Sequence, residues 1–348
     1  MNPLAPAHAP SYLANADGSD PLFTVVAIFT IDLIIGIGAL YLTLHALPER
    51  MAHTGNHAQF QVIGILALLA LFTVGSAPVP PLQLNAMCFA VGGTLGLIWA
   101  ARTGQLAALR RIPPAAFLLG TIGLFGYHAL YFAALRNAPP AQAGLIAYLW
   151  PLLIVLFSGL LPGETLRPGH LIGGLAGFAG AALIILGGGG GFATDHLTGY
   201  ALALACALTW SGYSVLSRRF GAVPTAAVAL FCIVTAICSA LLHLLFEETV
   251  APKGALGWAA VLGLGLGPVG LAFYTWDIGV KRGDIQMLGV ASYAAPLLST
   301  LILVLVGIAE PTVRLALATV LITGGAGLAA RASLRRSPTD AVSASSGG

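Results

Sequence analysis

Two phenols and an imidazole fall within one helical turn at Tyr127, His128 and Tyr131. Tyr148 and Trp150 follow beside Pro151, and Trp210 and Tyr213 alternate with Ser211 and Ser214. Tyr293 stands next to Ser292 and three residues ahead of Pro296. Phenol, indole and imidazole groups stack on planar solutes and exchange hydrogen bonds at their polar tips. None of these side chains has a neighbouring carboxylate in the sequence to make an acid–base pair. The chemistry they suit is noncovalent recognition of a small, planar, partly polar molecule.

Other chemistries find little support. The eight histidines (His8, His45, His53, His57, His128, His170, His196 and His243) are scattered without a clustered acid or thiol. Cys88, Cys206, Cys232 and Cys238 lie in apolar runs with no metal or disulfide spacing, and read as small core residues. The glycine run 187–191 lacks the Lys-Ser/Thr ending of a nucleotide-binding loop and reads as a connector. No cofactor is implied.

The elements that carry these residues are apolar. Hydrophobic residues make up 58% of the chain and charged residues 8%, against about a quarter charged in soluble proteins. Mean hydropathy is +0.92. The chain therefore belongs in a bilayer, and its formal charge of +3 gives no indication of nucleic acid binding. A membrane helix needs about 20 apolar residues. Spans are predicted near 22–47, 60–77, 82–101, 114–135, 141–161, 169–188, 197–216, 225–246, 256–279, 286–307 and 312–331.

The chain says one pattern twice. Tyr148-Leu-Trp-Pro151 and Tyr293-Ala-Ala-Pro296 lie 145 residues apart, each with a glycine four residues earlier, at Gly144 and Gly289. Gly163-Glu164 and Ala309-Glu310 match to within one position of that offset. The last ten spans divide into 60–188 and 197–332. Five spans per set is an odd number, so the sets enter the membrane in opposite senses, as inverted repeats do. The expected fold is an all-α membrane protein with a ten-helix core and one extra N-terminal transmembrane helix. Residues 1–21 read as a polar tail, 22–59 as the extra helix and its linker, and 333–348 as a disordered cytoplasmic tail. The extra helix is open to three readings: a natural addition, a docking element, or an appended segment ahead of Met51. Asp32 is its one deep acid, with Tyr41, His45 or another chain as candidate partners.

Lys and Arg positions orient the spans. With the start of span 60–77 in the cytoplasm, only Arg136, Lys253 and Arg314 of the 15 basic residues fall outside. The C-terminus is then cytoplasmic, and the Glu247-Glu248 pair lies outside.

Several segments resemble a known family. Ala207-Leu-Thr-Trp-Ser-Gly-Tyr-Ser-Val-Leu-Ser-Arg218 resembles the opening helix of an EamA repeat in the drug/metabolite transporter superfamily. Gly163-Glu-Thr-Leu-Arg167 resembles the junction before that family's fifth helix. Ala147-Tyr-Leu-Trp-Pro-Leu152, Gly279-Val-Lys-Arg-Gly-Asp284 and Ala291-Ser-Tyr-Ala-Ala-Pro-Leu-Leu-Ser299 are similar to the family's aromatic amino acid exporters. The likeness covers roughly 60–332. It implies ten core helices and export of aromatic or related amino acids from the cytoplasm, across a bacterial inner membrane. Leu71-Phe-Thr-Val-Gly-Ser76 departs from the usual opening of the first repeat, where a tryptophan is common.

The candidate substrate contacts are Tyr127, His128, Tyr131, Tyr148, Trp150, Trp210, Tyr213 and Tyr293. Each has a bland alternative: Tyr131 as an interfacial anchor, His128 bonded to a backbone carbonyl, the other rings as core packing. Gly120, Gly123 and Gly126 read as points of close helix approach or as room for a ligand. Asp277 and Lys281 are spaced for a helical ion pair. Glu164 and Glu310 read as helix-start caps, and Gln83 and Asn85 as interfacial residues. The partners expected are the lipid bilayer and a small solute; oligomeric state stays open, as does proton coupling. Another exported metabolite, or a membrane enzyme or scaffold, remains a competing reading. Missing intramembrane Lys or Arg argues against a phosphate carrier, and missing Glu in 60–77 against a cation carrier.

Orientation is directly testable. In Ser19→Cys and Ser337→Cys variants, an impermeant thiol reagent added to intact cells should label the first and spare the second. Labelling of the Ser337 variant alone would reverse the assignment.

Overall fold

A computed structural model of the chain describes residues 58, 61–186, 192–305, 307 and 310–334. The expected first helix, 22–47, its linker and the C-terminal tail lie outside the described residues. Regular structure among the described residues is entirely helical. Helix α1 (Gln61–Gly75) is short and is interrupted at Leu68. Among the described residues, nine further helices are long and apolar enough to cross a membrane: α2 (Pro81–Arg102), α3 (Pro114–Asn137), α4 (Pro140–Ser158), α5 (Pro168–Leu186), α6 (Thr194–Phe220), α7 (Thr225–Phe246), α8 (Gly254–Arg282), α9 (Ile285–Leu305) and α10 (Val313–Ser333). These bounds fall within a few residues of the hydropathy reading for spans from 82 onward.

Proline sets several of the starts. Helices α2, α3 and α4 open on Pro81, Pro114 and Pro140 at the first helical position, where a missing N–H costs nothing. The outward faces are apolar, with Leu118, Ile172, Leu245 and Val320 more than half exposed, as a lipid-facing surface requires.

Four of these nine helices are irregular in their interiors, in two matched pairs. Helix α3 contains a π-turn at Ile122–Gly126, and α8 contains one at Gly267–Leu271, 145 residues further on. Helix α4 breaks between Ala147 and Trp150, and α9 breaks between Ala291 and Ala294. The sequence offset of 145 residues is thus repeated, to within one position, in the sites of backbone irregularity.

Helix pairing follows the same division. The most extensive contacts are α5 with α10 and α2 with α7, and α3 lies along α6. At the α5–α10 contact small residues bring the backbones together. A Cβ on Gly173 would lie 2.5 Å from the Gly325 carbonyl oxygen and 3.3 Å from the Ala329 nitrogen. Backbone cannot yield there as a side chain would. Gly212, on α6, has nothing within 4 Å of such an atom.

Two sequence expectations are corrected by the packing. Asn85 and Gln83 are buried rather than interfacial: Asn85 Nδ2 donates to Ser239 Oγ at 2.7 Å, tying α2 to α7. Gln83 exchanges 2.9 Å bonds with the Val250 backbone. Glu164 sits ahead of the helix that opens at Pro168 and meets Arg218 at 3.2 Å, so its role is a bridge between segments. The Asp277–Lys281 ion pair forms as its spacing suggests, at 2.8 Å.

Gly173→Ala should lower the stability of the purified protein by about 1–3 kcal/mol through overpacking. Gly212→Ala should leave it unchanged or slightly raised. Thermal unfolding in detergent checks both, and equal effects at the two sites would refute the backbone-contact account.

Candidate functional site

The eight candidate residues meet in one continuous chain of ring contacts. Tyr127 stacks parallel to Tyr131 with centroids 6.3 Å apart, and touches Trp210 at 5.3 Å. His128 lies edge-on to Tyr127 at 5.1 Å. Trp210 contacts Tyr213 at 5.3 Å and Trp150 at 6.4 Å. Trp150 then leads to Tyr148 at 5.8 Å, and Tyr148 to Tyr293 at 6.0 Å. Helices α3, α4, α6 and α9 contribute, so both sequence halves supply rings. Tyr131, with its parallel contact to Tyr127, faces other rings.

Beyond Phe132 beside His128 and Tyr131, and Phe178 beside Tyr293, three more aromatics join the chain. Trp276 packs against Trp150 and Trp210, each at 5.4 Å. Phe273 contacts Trp210 at 5.7 Å and His128 at 6.0 Å. Phe89 is fully buried between His128 at 5.0 Å and Phe273 at 5.2 Å. The repeat offset carries His128 onto Phe273 and Tyr131 onto Trp276. Projecting the first-half aromatics forward by 145 residues therefore finds two of the three. Phe89 has no such signal.

The backbone irregularities lie at the rings. Pro151 lacks an N–H, and the Leu149 N–H reaches back only three residues to Ile146. The Leu152 N–H donates to the Tyr293 hydroxyl at 3.1 Å, across to α9. The Ser211 hydroxyl of α6 lies 3.0 Å from the Trp150 carbonyl and 2.7 Å from the Ala207 carbonyl of its own helix, and its one proton serves either. The Tyr293 hydroxyl thus supplies an acceptor that the broken helix lacks, as hydrocarbon surroundings require. In α3, a Cβ on Gly123 would collide with the Tyr213 ring, so the π-turn and the aromatic chain are in direct contact.

Polar tips differ in their employment. His128 Nδ1 lies 2.7 Å from the Leu124 carbonyl. A carbonyl only accepts, so Nδ1 carries the proton, and the neutral ring offers Nε2 as an acceptor. The Trp276 indole N–H donates to Ser214 Oγ at 3.1 Å. Tyr293 is engaged structurally through Leu152. Among the described residues, no three His, Cys, Asp or Glu side chains gather as metal ligands.

Comparison with known proteins now bears on this arrangement. The model of the EamA-like transporter family matches residues 67–186 and again 197–331. The chain belongs to the EamA-like transporter family. That family is one of transporters rather than enzymes, and this member is a multi-pass membrane protein. A relative from Ancylobacter novellus, named aromatic amino acid exporter YddG, is 55% identical over 273 residues, which are 78% of this chain and 94% of the relative. The protein of the same name from Salmonella typhimurium is 27% identical, over 69% of this chain and 85% of its own length. A Pseudomonas aeruginosa relative named pseudopaline exporter CntI is 26% identical over 58% of this chain and 72% of its own. A solved crystal structure 53% identical in sequence superposes with a TM-score of 0.77, covering 80% of this chain and 96% of that one.

Tyr293→Phe removes the acceptor of a buried backbone N–H beside Pro151. It should lower stability by about 1–3 kcal/mol. Thermal unfolding of the purified protein is the measurement, and an unchanged midpoint would show that the Leu152 N–H has another acceptor.

Proposed function

We propose that this chain exports aromatic or related amino acids from the cytoplasm by alternating access. The observation that carries the reading is the continuous chain of rings drawn from both halves of the sequence. An aromatic solute can exchange ring contacts with such a chain at little loss, because stacking partners are already in place. His128 Nε2 and the tyrosine hydroxyls suit the polar end of an amino acid. The substrate contacts are Tyr127, His128, Tyr131, Tyr148, Trp150, Trp210, Tyr213 and Tyr293, with Tyr293 acting chiefly through the break in α4. The names of the two YddG relatives favour the same ligand class.

The working machine is two five-helix sets, 60–188 and 197–332, in opposite orientations. The offset shared by π-turns and helix breaks favours this layout, as does the pairing of α5 with α10 and α2 with α7. Residues 22–59 stand outside the repeat. The protein sits in the bacterial inner membrane with its C-terminus cytoplasmic, as the basic residues favour. The π-turns and breaks concentrate backbone irregularity in α3, α4, α8 and α9. Helices with such breaks bend more easily than regular ones. A second reading is export of a different amino-acid-derived metabolite, which the relative named a pseudopaline exporter favours.

Reconstituted protein decides between them. Liposomes loaded with labelled tryptophan, phenylalanine, a nucleoside or a phosphate ester should release the first two fastest. Trp150→Ala should weaken aromatic substrate binding by roughly 1–3 kcal/mol. His128→Ala should cost about 1–2 kcal/mol through one lost polar contact. Both variants should reach normal membrane abundance. Export of aromatic amino acids at wild-type rates by both, across subsaturating concentrations, would overturn the site assignment.

A further inference from the structure

Glu247, at the end of α7, is an acid in an apolar chain, and its side chain is only 4% exposed. It is tightly engaged. The Leu82 N–H lies 3.1 Å from both carboxylate oxygens, and the Gln83 N–H donates to Oε2 at 3.1 Å. These are free donors of the first turn of α2, where a carboxylate is favoured. His243 Nδ1 approaches Oε2 at 3.1 Å, and His243 is itself held by Thr249 at 2.9 Å. Three nitrogen atoms therefore fix Glu247 to α2 and α7, a pair already joined by Asn85–Ser239.

Arg136 is attached differently. It lies in the last turn of α3, is 49% exposed, and donates to Glu247 Oε1 at 3.0 Å. It is half in water and can rehydrate on leaving, whereas Glu247 cannot leave without stranding backbone donors. The fixed part of this contact is Glu247, and the detachable part is Arg136. Arg136 also has a repeat counterpart, since Lys281 lies 145 residues further on in the last turn of α8. Successive spans alternate in direction, so Lys281 lies at the opposite end of the bundle. It bonds Asp277 and, at 3.0 Å, the Val223 carbonyl ahead of α7. Nearby, Arg218 Nη1 donates to the Gly283 carbonyl at 3.4 Å. Both ends are engaged at once, and the ring chain between them is closed.

The geometry points to Arg136 as a gating residue, a detachable latch of α3 on the fixed Glu247 of α7, which must release for α3 to swing outward, away from α7 and from the α6 helix it lies along, and open that end of the solute path. This rests on the alternating-access reading. Lys281 holds α8 at the other end, so the repeat places one basic residue at each exit.

Cys206 is a native reporter. It is fully buried on α6, with its thiol donating to the Tyr127 carbonyl at 3.4 Å, and it packs with Ala138 and Ala143 near the Arg136 end. The other three cysteines are replaced by serine, and an impermeant thiol reagent is added from each face of the membrane in turn. Arg136→Gln should speed labelling of Cys206 about tenfold from the face bearing Glu247, the shift expected when one charge-assisted bond stops favouring the closed state. Labelling from the opposite face should not rise. No change from the Glu247 face, or an equal rise from both, would overturn the latch. A second measurement spares Glu247: an Arg136→Cys/Glu248→Cys variant joined by a short reducible cross-linker should stop export, and reduction should restore it. Undiminished export while cross-linked would refute the need for release. Labelling requires no solute, so the latch can fail while wild-type export stands, and export can fail while the latch stands.

Discussion

A backbone in hydrocarbon has no water to turn to, and that constraint governs this structure wherever a helix is interrupted. Helix α4 gives up regular bonding at Pro151, and a side chain of another helix supplies a missing acceptor. Tyr293 of α9 accepts from the Leu152 N–H, while the Ser211 hydroxyl of α6 lies 3.0 Å from the Trp150 carbonyl. The breaks are therefore confined to the interior, where such partners exist. The same positions bring rings inward, so the irregular backbone and the aromatic chain occupy one region. Neither feature is independent of the other: the hydroxyl that repairs α4 belongs to a ring of the chain.

Polar side chains elsewhere follow a related rule. Asp277 is buried, yet it meets Lys281 at 2.8 Å and accepts from Thr225 Oγ1 at 2.8 Å. Breaking such a buried pair by deleting one partner commonly costs about 3–5 kcal/mol, since the other charge is left stranded. Glu247 is satisfied by helix N–H groups as well as by the Arg136 guanidinium. Charges near the ends of the bundle thus join segments: α7 to α2, α3 to α7, the α4–α5 connection to α6. The middle is held by rings and small residues.

Much of this was legible in the sequence. Hydropathy marked the spans because a bilayer demands length and apolarity together, and Pro81, Pro114 and Pro140 marked their starts. The doubled Tyr-x-x-Pro pattern marked the helix breaks, since proline acts locally. The eight candidate rings were found because large polar-tipped aromatics are conspicuous in apolar runs. What escaped was nonlocal. Phe89 looks like any apolar residue until α2 is packed against α3 and α8. Asn85 and Gln83 looked interfacial because they begin a span, and only the neighbouring α7 and Val250 explain their burial. The π-turns gave no distinct composition signal; their matched positions emerge only from the backbone. Glu247 reads in sequence only as a charge on the outer side, and its grip on the start of α2 depends on a contact 165 residues away.

The indoles at the centre have an optical consequence. Of the five tryptophans, Trp150, Trp210 and Trp276 touch one another, while Trp99 packs on Tyr274 and Trp258 is half exposed on the outer surface of α8. Indoles in contact exchange excitation energy, and those three are screened from water by surrounding rings. The protein's intrinsic emission is therefore split between a shielded, mutually coupled set and two outlying reporters. A quencher dissolved in lipid reaches Trp258 first, and whatever separates the central indoles changes the colour and anisotropy of the remaining light without any added label.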